Sequence, residues 1–315
     1  MHLRQEQILQ DAGVDILRAT TSSWVIKCSK LLQPLVNLLQ DNIIGHDISY
    51  ADETRIQVLK EQDRAPDKQS FMWAFSGGEK ENFSIVLKYS KTRSHDVPLD
   101  FFGDDYTGYV HCDGYAGYDA MSKANNAILS GCMLHSRRKF VDAAKVSKKS
   151  GLSAYAVKIF GKLAKIEKEI KAKTLTQEQV KEYRLENSKP ILDKFKIWLE
   201  LKSKEVPDKF LIGQAIGYTI RQWPKLIRYL DDGRLEWSNN FSERIMKMFA
   251  TGRKNWMFSN SVDGANASAI IYSVVLTCRH HNVDVFEYFR QVLKRIPSCE
   301  TLEEFEALLP YNIKL

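Results

Sequence analysis

The sequence predicts a mixed α/β protein interrupted by a long helical stretch, and three observations carry that prediction. Apolar residues recur with a period of two in three successive runs between Ile48 and Ser90, the mark of half-buried strands. Short strand-like and helix-like runs then alternate from Asp96 to Cys132. Beyond Cys132 the period turns helical for about a hundred residues before mixed character returns. At 315 residues and 44% hydrophobic composition, the chain can bury one large core, or a core domain carrying an insertion.

Residues 4 to 32 read as two helices. In RQEQILQDAG the residues Ile8, Leu9 and Ala12 share a face and Gly13 offers the stop. TTSSWVIKCSKLL follows, with Thr20 or Thr21 as a cap and Trp24, Val25, Cys28, Leu31 and Leu32 as its apolar stripe. Two helices around a glycine bend fit a helix-turn-helix, although any helical hairpin gives the same pattern.

In the first strand Ile48, Tyr50, Ile56 and Val58 share one parity, and Asp52 shares it with them. SFMWAFSG (70–77) and FSIVLKYS (83–90) complete a meander. A short helix near DVPLDFFG, a strand GYVHCDG (108–114), a helix YAGYDAMSKA and a strand NAILSGC come next. Three strands, then helix, strand, helix, strand is the order of a ribonuclease H-like mixed sheet with flanking helices.

In AYAVKIFGKLAKIEKEI the residues Ala156, Ile159, Phe160, Leu163, Ile166 and Ile170 recur at helical spacing, and KPILDKFKIWLEL and FLIGQAIGYTIRQW repeat the habit. Gly161 and Pro190 break any long heptad run, so a small bundle is expected rather than a coiled-coil hairpin. The last part holds TGRKNWMFSNS, a buried-looking helix NASAIIYSVVLTCRHH and an amphipathic DVFEYFRQVLKRI. The expected organisation is a helical segment over 1–45, a catalytic core over 46–140 and 237–315, and a basic all-helical insertion over 141–236.

The chain holds 46 Lys plus Arg against 39 Asp plus Glu, a net charge of +7. Residues 145 to 205 alone contain 16 basic against 8 acidic side chains, so the whole of the excess lies in the helical stretch. Such a span is either a solvated face or a surface for a polyanion. Five cysteines at positions 28, 112, 132, 278 and 299 form neither a disulfide framework nor a CxxC pair, which implies a reducing compartment. No stretch has the roughly 18 apolar residues that a membrane span needs, and the N-terminus lacks a signal-type apolar region, so a soluble intracellular protein is expected.

Three carboxylates stand at element ends: Asp52 on the first strand, Asp113 closing the fourth, and Glu243 near a helix start in SNNFSERIM. A carboxylate on the apolar parity of a strand pays for desolvation unless a positive charge faces it. A divalent cation suffices, and phosphodiester chemistry uses carboxylates to hold two Mg²⁺ ions roughly 4 Å apart. Oxygen-only ligands favour Mg²⁺ or Mn²⁺ over zinc. Each residue also has a structural role open to it. Asp52 can turn outward, Asp113 before Gly114 can form a turn, and Glu243 can complete a capping box with Asn240. On a helical wheel Phe241, Ile245, Met248 and Phe249 form the core stripe, which turns Glu243 away from it toward a site and leaves the cap to Asn240.

At these residues the sequence resembles the transposases of the insertion sequence 66 family, within the DDE superfamily. ADETRIQVL (51–59), DGYAGY (113–118) and NNFSER (239–244) are similar to its three catalytic motifs, and CMLHSRRKF (132–140), SKPILD (188–193) and GRKNWMFSNS (252–261) to further family blocks. The resemblance runs in order over nearly the whole chain. It implies that Asp52, Asp113 and Glu243 are the catalytic, metal-binding triad of a transposase that nicks element ends and joins the freed 3′-hydroxyl to target DNA. It also implies terminal repeats and target DNA as partners, a homo-oligomer on DNA, accessory transposition proteins, and a place at the nucleoid of a bacterial cytoplasm. Tyr50 stands where the family usually has His, and Lys247 and Met248 where it has Arg-Pro. Full-length members carry further N-terminal sequence with a Cys-rich zinc-binding segment and a coiled coil, so a truncated copy is expected.

Cys132 and His135 have a CxxH spacing; a packing or hydrogen-bonding role is expected for the cysteine, and His135 is a candidate neighbour of the site. Arg137, Arg138, Arg244, Arg253, Lys254 and Trp256 are candidate DNA contacts, each with a solvated or buried alternative. The His280–His281 pair is read as a helix-end feature. Two other functions share these features: a ribonuclease H-like nuclease without strand transfer, and a non-catalytic DNA-binding remnant.

Overall fold

The computed structural model describes residues 2–146 and 151–314. In chain order its elements are α1 (His2–Asp11), α2 (Arg18–Ile44), β1 (Ile48–Lys60), β2 (Gln69–Gly77), β3 (Ser84–Ser90), α3 (Asp96–Phe102), β4 (Tyr109–Cys112), α4 (Ala116–Asn125), β5 (Ile128–Gly131), α5 (Met133–Val146), α6 (Leu152–Ala172), α7 (Gln177–Asn187), α8 (Lys189–Glu205), α9 (Leu211–Leu226), α10 (Asn240–Trp256), β6 (Ser259–Ser261), α11 (Val262–His280), α12 (Val285–Arg295) and α13 (Leu302–Glu306). The class is mixed α/β, in the expected ribonuclease H-like element order. The chain forms two compact units, one of residues up to Gly108 together with those from Phe241 onward, the other Tyr109–Asn240. The second takes in β4, α4, β5 and α5 as well as the segment expected as an insertion.

In the first unit β1, β2 and β3 form an antiparallel meander, with Asp52 opposite Ala74 and Phe75 opposite Val86. β6 adds a short parallel pairing on β1 at Val58 and Lys60, so this sheet is mixed. One face packs against α10 and α11: Ile56, Met72, Ala74, Ile85 and Leu87 meet Ile245, Met246, Phe249, Ala269 and Leu276 in one buried cluster. Phe75, from the alternate parity, stacks on Phe101 of α3 at 3.8 Å between ring centres.

β3 pairs only with β2 among the described residues, and α11 covers its outer edge. Ser273 Oγ accepts the Leu87 N–H at 2.7 Å, and Thr277 Oγ1 accepts the Ile85 N–H at 3.1 Å. Residues four apart on a helix rise about 6.0 Å and residues two apart on a strand about 6.8 Å. The two hydroxyls therefore match alternate outward amides of β3, and both side chains are fully buried.

Gly13 (φ +79°) ends α1 as expected. The next helix differs. α2 begins after Leu17 without a side-chain cap and continues through Pro34 to Ile44, where two short helices ending near Leu32 were expected. Proline inside a helix removes one hydrogen bond and crowds the preceding turn, but Leu32, Leu35, Val36, Leu39 and Ile43 are buried beyond it. Core packing of that stripe outweighs the local break.

In the second unit β4 and β5 pair in parallel, Cys112 opposite Gly131, and α5 to α9 form the expected helical bundle. Gly161 lies inside α6 rather than ending it, and Pro190 starts α8. A buried ion pair organises the bundle: Arg184 on α7 meets Glu167 on α6 through Nε–Oε1 at 2.9 Å and Nη2–Oε2 at 2.8 Å, with both side chains 4% exposed. Arg184 Nη1 also donates to the carbonyls of Tyr229 (2.9 Å) and Leu235 (2.8 Å). Gly233, in the same segment, passes so close to Gln177 O that a Cβ there would stand 1.9 Å from it.

Candidate functional site

Asp52 and Glu243 belong to the first unit. Tyr50, Asp52, Thr54 and Ile56 point to one face of β1 by strand alternation, and Ile56 on that face is buried against α10. The ring of Tyr50 lies 5.9 Å from that of Phe241, in the first turn of α10, while Arg253 near its end donates to Thr54 Oγ1 at 3.3 Å and to Arg55 O. α10 thus runs along β1, and Asp52 lies on the covered face between the two contacts. Asp52 and Glu243 are both half-buried. The Asp52 carboxylate accepts its neighbour's N–H, from Glu53, at 2.9 Å, and the Glu53 carboxylate is neutralised by Arg93 at 2.6 Å.

The start of α10 corrects the expected cap. The helix begins at Asn240, which hands the cap position to Asn239 and makes Glu243 the fourth helical residue, so the spacing for an Asn240–Glu243 capping box is lost. Its buried stripe is also rotated. Ser242, Ile245, Met246 and Phe249 are buried, whereas Met248, expected in the stripe, is 39% exposed. At 100° per residue Glu243 lies about 110° from the centre of that stripe, on its flank rather than opposite it.

Asp113 belongs to the second unit. It follows Cys112, and Cys132 follows Gly131, so both residues leave the β4–β5 pair at its carboxyl end. Asp113 Oδ1 accepts the Tyr115 N–H at 2.8 Å, an Asx turn that fixes the carboxylate's direction. Cys132 is buried and its Sγ accepts the Asn239 N–H at 3.2 Å, while the Met133 N–H donates to Trp237 O at 3.1 Å. The expected hydrogen-bonding role of Cys132 is therefore observed: it ties Asn239 to the residue that follows β5. His135 on α5 is half-buried, and its neighbour His111 on β4 is fully buried. Burial, then the charge of His135, pulls the His111 imidazole down to about 3, so it stays neutral.

Tyr218 on α9 was read only as part of an apolar helix. Its hydroxyl stands over Gly114, where a Cβ would lie 2.4 Å from the phenol oxygen. Burial, then the Asp113 carboxylate, pushes the phenol up to about 12. The Lys139 ammonium sits 4.5 Å from the ring centre. No sequence signal pointed here, because Gly114 is equally explained by its turn.

The candidate DNA contacts divide. Arg137, Arg138, Arg244 and Lys254 are exposed, the Arg244 guanidinium lying 5.7 Å from the Phe241 ring. Arg253 is tied to β1 as described. GRKNW forms the last part of α10; Gly252 is needed there because a Cβ would meet the Tyr272 hydroxyl at 2.2 Å. Trp256, half-buried, packs edge-on against Phe249 at 5.6 Å, on the margin of the core cluster. On α6 the side chains of Lys158, Lys162, Lys165, Lys168 and Lys171 are all exposed. His280 stacks on Phe83 at 4.7 Å and His281 Nε2 lies 2.8 Å from Phe83 O, so the pair closes α11 as expected.

Residues 2–267 match the family described as "Transposase IS66 family", and residues 273–311 match the IS66 C-terminal element. Relatives include the uncharacterized proteins y4jD, y4hP and y4qI of Sinorhizobium fredii (strain NBRC 101917 / NGR234), 29%, 27% and 28% identical. Each alignment covers 99% of this chain but 62%, 59% and 59% of the relative, so the chain spans about three fifths of their length. No solved structure matches it.

Proposed function

The chain belongs to the IS66 transposase family, and from that premise we propose that it is the catalytic region of a DDE-type DNA transposase. It nicks DNA at element ends and transfers the freed 3′-hydroxyl to target DNA, acting as a homo-oligomer with accessory transposition proteins at the nucleoid of a bacterial cytoplasm. The observation that carries the reading is the setting of Asp52. Its half-buried carboxylate lies on the covered face of β1, and the helix along that face carries Glu243 in its first turn. Among the described residues no helix is long and apolar enough to cross a membrane.

Asp52, Asp113 and Glu243 offer oxygen donors only, the set that suits Mg²⁺ or Mn²⁺. When bound, two such ions would activate the attacking oxygen and offset charge on the leaving one. The Asx turn at Asp113 aims its carboxylate before DNA arrives, so less ordering is left to the reaction. The exposed lysines of α6 and the exposed Arg137, Arg138, Arg244 and Lys254 hold the DNA backbone.

The test is a strand-transfer assay with pre-cut duplex ends and Mg²⁺. Joined products are expected, lost in Asp52→Asn, Asp113→Asn and Glu243→Gln. Hydrolysis products alone would identify a nuclease, and DNA binding without any cleavage a non-catalytic remnant.

A further inference from the structure

Tyr218 stands at the Asp113 corner in a way that packing alone leaves unexplained. Its side chain has two close neighbours: Gly114, over which the hydroxyl sits so closely that a Cβ there would lie 2.4 Å from it, and the exposed Lys139, whose ammonium is 4.5 Å from the ring centre. Its hydroxyl has Asp113, Cys132 and Cys112 as electrostatic neighbours and makes no hydrogen bond among the described residues. The side chain is half-buried, so the oxygen is neither sealed in the core nor loose in water. Arg221, one turn along α9, is exposed, and its guanidinium reaches back to within 3.2 Å of where a Cβ on Gly217 would lie, so one cation sits over the ring face and another beside the residue that precedes Tyr218. A neutral donor with two cations in its surroundings is suited to a phosphate oxygen, because it adds direction to a field that the lysine and arginine supply without direction.

We propose that Tyr218 is a DNA-contacting residue of the Asp113 corner, its hydroxyl donating a hydrogen bond to a backbone phosphate of bound DNA. Gly114 is then required less for its turn than for the space it leaves that phenol. The proposal rests on the reading of the chain as a DNA-cleaving enzyme.

The experiment measures binding of a fluorescein-labelled duplex, cut from the DNA flanking the chain's own gene, across a salt series. Tyr218→Phe keeps the ring and removes only the oxygen. It should weaken binding about ten- to a hundred-fold, the loss typical of a hydrogen bond to a charged group. Its slope of log affinity against log salt should be unchanged, because a neutral donor displaces no counterion. Lys139→Gln should instead lower that slope by about 0.9, and Gly114→Ala should reproduce the loss seen in Tyr218→Phe. Thermal melting of Tyr218→Phe should match the parent. The underlying reading is checked on the same duplex by Mg²⁺-dependent nicking that Asp113→Asn abolishes. Parental affinity in Tyr218→Phe overturns the inference and leaves that reading in place, whereas a parent that neither binds nor nicks the duplex overturns both.

Discussion

Replacing Arg184 by methionine should be among the most damaging single changes in the second unit. The guanidinium meets Glu167 through two parallel contacts at 2.9 and 2.8 Å, and both partners are 4% exposed. Breaking a buried pair from one side typically costs about 3–5 kcal/mol, because the remaining charge is left without compensation. The carbonyls of Tyr229 and Leu235 lose their donor at the same time, at about 1–3 kcal/mol for each buried group so stranded. These losses overlap, since Glu167 can protonate and the segment can relax, so a total of about 5 kcal/mol is expected. Urea unfolding followed by bundle fluorescence measures it, with limited proteolysis reporting release of residues 229–236. The sign of the coupling is the sharper check. Adding Glu167→Met to Arg184→Met removes the stranded carboxylate and should restore part of the loss, as replacement of whole buried pairs by apolar groups commonly does. A loss below about 1 kcal/mol in the single variant, or a double variant less stable than the single, would refute the reasoning.

Two further outcomes are expected from the first unit. Ser273→Ala with Thr277→Val should destabilise it by about 1–3 kcal/mol for each amide left unsatisfied, and hydrogen exchange at Leu87 and Ile85 should accelerate before that of their β2-bonded neighbours. Glu61 is the centre of a buried network that accepts from Ser70 (2.5 Å), Tyr89 and Arg64 (2.8 Å). Burial raises its pKa, but these donors outweigh burial and hold it below the usual carboxylate range. Because the folded-state value is depressed, its contribution is present above about pH 4.5 and is lost as pH falls through the folded value. Glu61→Gln should therefore flatten the acid limb of the stability profile, and an unchanged limb would show that the network does not set it.

Local patterns were legible wherever one face of an element meets a core. The parity of Ile48, Tyr50 and Ile56 placed Asp52 on the covered face of β1, and the helical repeats from Ala156 to Ile170 marked α6, because both follow from burial alone. Features set by contacts distant in sequence were not. Pro34 reads as a break, and only the packing of Leu35, Val36, Leu39 and Ile43 carries α2 through it. Gly252 is a helical position that makes room for Tyr272, a contact with no local signal around it. β6 is three residues long and exists through its pairing with β1, so it has no period to detect. In the site, the carboxylates were visible as types out of place, whereas Tyr218 was an ordinary aromatic until α9 set it above Gly114.

The hydroxyl pair on α11 has a consequence for assembly. A strand at the rim of a sheet is normally open to a foreign strand, the route by which many chains aggregate or exchange segments. Here the amides of Ile85 and Leu87 that a visiting strand would need are already engaged by Thr277 and Ser273, and a helix occupies the space it would enter. Two copies of the chain brought together at high concentration therefore cannot fuse their sheets through these amides of β3, and that rim stays inert to crowding.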